Sequence, residues 1–314
     1  MKEGSTKAIV AALLANLGIA ISKFVGFVIT RSASLLAEAI HSVADTSNQA
    51  LLLMGGKRAR KRATPEHPFG YGRERYFWSF VVALVLFSMG GLFAIYEGIE
   101  KLRHPHETEN LMVAVVILLV AIGLESFSFR TAVKESKPYK GRSSWWSFIR
   151  RSKSPELPVV LLEDLGALVG LVLALSGVVA SKVLDEPRWD ALGSLSIGIL
   201  LVAIAIVLAV EMKGLLIGEA ASPEMEASIR DALTGTAGVS RVIHMRTQHI
   251  GPDELLVGAK LELAAGLSGA EVATVINDAE RRVRDVVPEA RIIYLEPDVH
   301  DPERQPDEHD PVMA

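Results

Sequence analysis

The chain has 314 residues, half of them hydrophobic, with a mean hydropathy of +0.31 and a formal net charge of -4. The apolar residues are gathered into long runs, which excludes an ordinary soluble domain for most of the chain and favours a membrane protein. Cysteine is absent, so a disulfide framework and a thiolate metal site are both excluded, and any metal must be held by imidazole, carboxylate or backbone oxygen.

A bilayer core takes about 20 residues of helix. Six stretches qualify, near 7–29, 32–56, 76–101, 110–133, 157–183 and 189–217. The first is too long for a signal peptide and has no small-residue cleavage pattern before the second, so it is expected to remain as span one. Lys23 and Asn16 within it read as packing or ion-pair positions. Gly90 and Gly91 in span three, and Gly166 and Gly170 in span five, permit close helix contact.

The loop between spans two and three holds Lys57, Arg58, Arg60, Lys61, Arg62, Arg73 and Arg75, and the loop between four and five is equally basic. The opposite loops carry few cations, and those lie among acids. The positive-inside rule places both basic loops and both termini in the cytoplasm. These loops read as topology signals and lipid-headgroup contacts, not as a nucleic-acid site. Trp145 and Trp146 read as an interfacial anchor of the second loop.

After Gly218 the composition becomes that of a small soluble domain: an amphipathic helix near 223–234, strands VSRVIHMRTQHI and ELLVGAKLEL, a helix after the N-cap candidate Ser268, and a strand RIIYLEP. The order is αββαβ. The domains are thus expected at 1–217 and 218–297, with an acidic, Pro-containing tail at 298–314 expected to be disordered.

Span two carries AEAIHSVAD. Residues i, i+3, i+4 and i+7 share a helix face, so Glu38, His41, Asp45 and Asn48 form one polar stripe. An ionised side chain at mid-bilayer costs at least about 2.5 kcal/mol on insertion scales, so the stripe must face a partner or a water-filled path. Span five offers Glu163 and Asp164 in LPVVLLEDLGALVG, two adjacent acids with no cation nearby in sequence. A His at i and an Asp at i+4 can ligate one ion, and an acid from a facing helix would complete much of a tetrahedral shell. His41, Asp45 and Asp164 are therefore read as metal ligands. Interhelical hydrogen-bond glue is the competing reading for any one of them. Glu38 and Glu163 are read as ligands or as supports for the ligands, and Glu38, Asn48 and Glu125 of span four as groups lining the cavity or a proton path. One imidazole among carboxylates suits Zn2+ and also accepts Fe2+, Co2+ or Mn2+.

The stripe belongs to SASLLAEAIHSVAD, which matches the pattern S-x-S-L-L-A-D/E that runs into H/D-S-x-x-D in the cation diffusion facilitators, and HPFGYGRER matches the H-x-F-G-x-G of their next loop. The chain resembles that family over nearly its whole length. The resemblance implies a six-helix all-α transmembrane domain followed by a small α+β (αββαβ, ferredoxin-like) cytoplasmic domain. It also implies metal/proton antiport, a multi-pass protein, here of a bacterial plasma membrane, a homodimer, and Zn2+ as transported substrate with no organic cofactor. Carried over by residue, the transport site is His41, Asp45 and Asp164. The fourth family position falls on Val160, which cannot ligate, and the LLED pattern is similar to the zinc-transporter-9-like branch, where Glu163 or water would substitute. The family's loop site retains His67, but Thr64 and Tyr71 stand at its other positions. Its cytoplasmic site retains His244 and Glu296, with Lys260 and Tyr294 at others, so dimerisation would rest on apolar burial. Arg73 matches a basic position implied to pair with an acid after span six, for which Glu219 is the candidate. The alternatives are an Mn2+, Fe2+ or Co2+ exporter of the same family and a membrane-anchored metal sensor. An intramembrane metalloenzyme lacks an HExxH or any other hydrolytic motif.

Overall fold

The computed structural model describes the backbone of residues 3–30, 33–105 and 111–300, and the side chains among them except at 3–5, 26, 27, 29, 30, 33–41, 44 and 111. The chain divides between Ile217 and Gly218 into two compact units.

The first unit is helical. Its long helices are α1 (Glu3–Thr30), α2 (Ala33–Arg58), α3 (Glu74–Val85), continued through a π-helical segment (Leu86–Leu92) into α4 (Phe93–Arg103), then α5 (Leu111–Lys140), α7 (Glu156–Val183) and α8 (Arg188–Ile217), with a short α6 (Trp145–Arg151) between α5 and α7. A helix of 28 residues such as α1 is about 42 Å long at 1.5 Å per residue, enough to cross a hydrocarbon core of about 30 Å. Among the described residues, five of these rods are long and apolar enough to span by composition: α1, α3 with α4, α5, α7 and α8. The sixth, α2, is of similar length and carries the polar stripe. Large apolar side chains point outward from them, among them Leu14, Ile21 and Phe24 on α1 and Ile199, Ile206 and Val210 on α8. In lipid this outward face needs no cover, so the interior is held by close packing and polar ties instead of by water exclusion.

That packing relies on glycine where two rods touch. At Gly198 of α8 an added Cβ would lie 2.7 Å from the backbone nitrogen of Ile95 and 2.9 Å from the carbonyl of Gly91, so α8 meets the π segment and α4 backbone to backbone. Gly166 of α7 likewise has no room, since a Cβ there would lie 2.6 Å from Ile204 of α8. The contact expected from Gly91 and Gly166 is thus a contact of both rods with α8. The π segment surrounds Gly90 and Gly91, where the regular hydrogen-bond ladder widens by one residue. α5 continues past the apolar run to Lys140, which lies over the Trp145 ring at 5.2 Å.

Ion pairs sort the helix ends by side. Arg75 in the first turn of α3 pairs with Glu156 in the first turn of α7, through Nε and, at 2.8 Å, through Nη2. Arg150 of α6 reaches Glu211 near the end of α8 at 3.2 Å. Lys101, at the far end of α4, bonds Glu97 at 3.1 Å and Asp190 at the start of α8 at 3.2 Å. The two basic loops and the exit of α8 therefore share one side, and Lys101 and Asp190 mark the other.

The second unit follows the expected order: α9 (Pro223–Thr234), β1 (Val239–Gly251), β2 (Glu254–Leu263), α10 (Gly269–Val286) and β3 (Ala290–Pro297). β2 is central, antiparallel to β1 and parallel to β3, with α10 as the crossover. Parallel strands need such a connection. Alternate residues of β2, namely Leu255, Val257, Ala259 and Leu261, are buried and meet Ile229 and Leu233 of α9 and Ala279 and Val283 of α10. Each large aliphatic side chain among them contributes about 1.5–3 kcal/mol of burial. Ser268 caps α10 in a reciprocal box with Glu271, and the glutamate carboxyl is held below its ordinary range by the Ser268 backbone N–H and hydroxyl.

Candidate metal-transport site

The polar residues of the spans gather where α1, α2, α5 and α7 meet. α1 packs on α2, α5 and α7, and α5 packs on α7. Along α2, Asp45, Asn48 and Gln49 follow one another at helical spacing, with Asn48 and Gln49 fully buried. Facing them on α7, Glu163 accepts from Asn48 Nδ2 at 3.0 Å on one oxygen and from Gln49 Nε2 at 2.9 Å on the other. Gln49 in turn accepts from Asn16 Nδ2 of α1 at 3.2 Å. A chain Asn16–Gln49–Glu163–Asn48 thus ties three helices.

Its sequence neighbour Asp164, only 1 % exposed, turns to α5 and accepts from Ser128 Oγ at 2.7 Å. One helical turn before Ser128 lies Glu125, also 1 % exposed, whose Oε2 has no hydrogen-bond partner among the described residues. Glu125 interacts electrostatically with Asp164, Glu163, Asp45 and Lys23. Lys23 of α1 is buried as well. Val160, one turn before Asp164 on α7, is fully buried and has nothing to donate to an ion.

His41 and Glu38 lie on α2 one and two turns before Asp45, but their side chains fall outside the described residues. Among the described residues no three His, Asp or Glu side chains converge as a ready-made metal shell. What the structure brings together is a cluster of acids, Asp45, Asp164, Glu163 and Glu125, lined by the amides and hydroxyl of Asn48, Gln49 and Ser128. Oxygen-rich surroundings of this kind attract a divalent cation and offer it no soft ligand.

The other sequence candidates sit elsewhere. His67 is exposed in the loop after α2, where its ring meets Tyr71 edge-on at 4.7 Å and its backbone N–H donates to Thr64 Oγ1 at 3.2 Å. Thr64 and Tyr71 also bond each other at 3.3 Å, so the residues at the family's ligand positions hold the loop together. In the second unit His244 pairs in register with Lys260, and Lys260 with Glu296. Lys260 Nζ lies 3.1 Å from Asp298 and 3.3 Å from Glu296, and these bonds, that from Asp298 foremost, hold its ammonium above the ordinary lysine range. A fixed ammonium thus stands between the two candidate ligands. Arg73 is exposed beside α3, and Glu219 belongs to the second unit, where its carbonyl accepts from the His249 N–H at 2.8 Å. Arg75, in the first turn of α3, has a buried carboxylate partner in Glu156.

Sequence reasoning missed Gln49, Ser128, Arg75 and Glu156. Gln49 continues the i+4 series from His41 through Asp45, and Ser128 stands three residues after Glu125, so helical spacing could have exposed both. Arg75 and Glu156 each open an apolar run, but no local pattern pairs them.

The family of the cation efflux transmembrane domain matches residues 9–217. The chain is 32% identical over 263 residues to the proton-coupled zinc antiporter SLC30A9, mitochondrial, of Xenopus laevis, covering 83% of this chain and 47% of that protein. It is 30% identical over 262 residues to metal tolerance protein C4 of Arabidopsis thaliana, covering 82% and 57%. It is 25% identical over 284 residues to the magnetosome protein MamB of Magnetospira sp. (strain QH-2), covering 90% and 92%. The chain thus spans about half the length of the SLC30A9 relatives. With its matched helical unit and a similarity to SLC30A9 that runs through 83% of its length, the chain belongs to the cation efflux, or cation diffusion facilitator, family of membrane transporters.

Proposed function

We propose that the protein exports a divalent metal ion, Zn2+ foremost, in exchange for protons, through a site formed by His41, Asp45 and Asp164 between α2 and α7. The observation that carries this reading is the cluster of acids itself: Glu163 and Asp164 of α7 and Glu125 of α5 are buried in a lipid-shielded interior with Asp45 of α2 half-buried near them, which is tolerable only if a cation or protons join them. Imidazole and carboxylate bind metal only when deprotonated, so proton and metal compete for one site. On the more acidic side protonation of His41, whose type has an ordinary pKa of about 6.5, weakens the shell and releases the ion.

Alternating access follows from rocking of the helices around this site, with the glycine contacts on α8 and the π segment as surfaces that can slide. The shared side of the two basic loops is assigned to the cytoplasm on the positive-inside rule, which puts both termini there. In this reading the protein is a homodimer whose second units meet through apolar burial, and neither His67 nor the pair His244 and Glu296 is assigned a structural metal. Asn48 and Glu125 line the path, and Glu38 is assigned to it from its sequence spacing alone.

Reconstitution tests the reading. Proteoliposomes should accumulate Zn2+ against its gradient when the lumen is acidic, and Asp45→Ala should abolish this. Zn2+ movement indifferent to the imposed pH gradient would contradict the coupling. A protein that confers zinc tolerance on cells through its second unit alone would be a sensor and not a transporter.

A further inference from the structure

The geometry points to Glu125 of α5, and not Glu163, as the fourth group that touches the transported divalent ion, filling the place that Val160 leaves empty. This rests on the mid-membrane site proposed above and adds a third helix to it.

His41, Asp45 and Asp164 make three ligands, and a tetrahedral first-row ion takes a fourth. Glu163 is adjacent to Asp164 and so the nearest acid in sequence, but both of its oxygens are already engaged, at 3.0 and 2.9 Å, by the Asn48 and Gln49 amides. Gln49 is itself tied to Asn16 on α1. A carboxylate held at both ends by a network across three helices acts as a strut between α7 and α2. Glu163 is on this account a positioning residue, which fixes the helix turn that carries Asp164.

Glu125 is the opposite case. It is as deeply buried as Asp164, yet its Oε2 lacks a hydrogen-bond partner among the described residues. A buried acceptor left unsatisfied is costly, and such groups in native proteins are explained by a ligand, an ion or a water. Ser128 shows which way its face of α5 turns. Residues three apart share a helix face, and Ser128 donates to Asp164 at 2.7 Å, so the face of α5 that bears Glu125 fronts the face of α7 that bears Asp164. Its strongest electrostatic partner is Asp164, with Glu163 and Asp45 also engaged and the Lys23 charge opposing them. An ion beside Asp164 would satisfy the free oxygen of Glu125 and offset the mutual repulsion of the acids together. The resulting set of one imidazole and three carboxylates suits Zn2+, Fe2+, Co2+ or Mn2+ and disfavours Cu+.

The test is equilibrium binding of Zn2+ to the full chain purified in detergent, by competition with a chromophoric chelator, with the Co2+ visible spectrum as a readout of geometry and melting of the metal-free protein as a check on folding. Glu125→Gln should weaken Zn2+ binding about ten-fold or more, equivalent to about 1.4 kcal/mol, and shift the Co2+ spectrum away from tetrahedral. Glu125→Asp should recover part of the affinity. Glu163→Gln should keep affinity within about three-fold, since each factor of ten is about 1.4 kcal/mol, while lowering the metal-free melting temperature. Wild-type affinity in a folded Glu125→Gln protein would overturn the assignment, as would a Glu163→Gln protein that melts normally and loses affinity as far as Glu125→Gln does. Asp164→Asn separates the two levels. If it binds Zn2+ like wild type, the mid-membrane site itself is wrong; if it loses binding while Glu125→Gln keeps it, only the role of Glu125 falls.

Discussion

Removing Glu156 should be among the most damaging single changes outside the transport site. Arg75 and Glu156 are 4 % and 1 % exposed and meet through two parallel N–H···O bonds at the first turns of α3 and α7. Glu156→Ala leaves a guanidinium buried without its carboxylate, and loss of one member of a buried pair costs about 3–5 kcal/mol. Glu156→Gln keeps the shape and one acceptor but loses the charge, and should cost about 1.5–3 kcal/mol, the range for hydrogen bonds to charged groups. Replacing both residues by Leu leaves no orphan charge, so the double variant should be less destabilised than the sum of Arg75→Leu and Glu156→Leu, with a coupling of about 1–3 kcal/mol. Denaturant unfolding in mixed micelles, followed by tryptophan fluorescence, measures all of these. A Glu156→Ala cost below about 1 kcal/mol, the level of an exposed pair, or strict additivity in the double variant, would refute the view that this pair locks α3 to α7.

Gly198→Val should disrupt the contact of α8 with Ile95 and Gly91, at about 1–3 kcal/mol from overpacking, and slow transport. Gly123→Ala on α5, where an added Cβ meets nothing within 4 Å, is the control and should leave melting unchanged or slightly higher. Ser128→Ala removes the hydroxyl that donates to Asp164 and should lower Zn2+ affinity several-fold without changing the melting of the second unit. In the capping box the Glu271 carboxyl titrates lower in the folded protein than in the unfolded chain, so its contribution to stability is present above the ordinary carboxylate pKa of about 4.3 and is lost as pH falls through the folded value. Glu271→Ala should therefore flatten the acid limb of the second unit's stability profile, read by circular dichroism, and an unchanged limb would refute the assignment.

The small unit was the most legible part of the sequence. Period-two alternation in ELLVGAKLEL, helical spacing after Ser268 and the reciprocal Ser268–Glu271 pair are local signals, and each coincides with the element that the chain forms. The long apolar runs were equally plain, because lipid requires them to be continuous. The π segment at Leu86–Leu92 and the extension of α5 to Lys140 were not, since both depend on what the helix packs against or on polar residues that leave the membrane. At the site, Asp45 and Asn48 on α2 and the acids on α7 could be read from spacing alone, while the side chains of Glu38 and His41 lie outside the described residues. The partners of those acids could not: that Glu163 turns to Asn48 and Gln49 while Asp164 turns to Ser128 follows from the rotation of α7 between α2 and α5, which no single helix encodes. The same holds for Arg75 and Glu156, eighty-one positions apart in sequence.

The account turns on one ion held between α2 and α7, and X-ray absorption at the zinc edge of the metal-loaded full chain addresses it most directly. It should show a shell of low-atomic-number ligands at about 2.0–2.2 Å, one imidazole among oxygens, and that shell should be lost in Asp164→Asn. A shell with two or more imidazoles, or one unchanged in Asp164→Asn, would place the metal elsewhere and contradict the account.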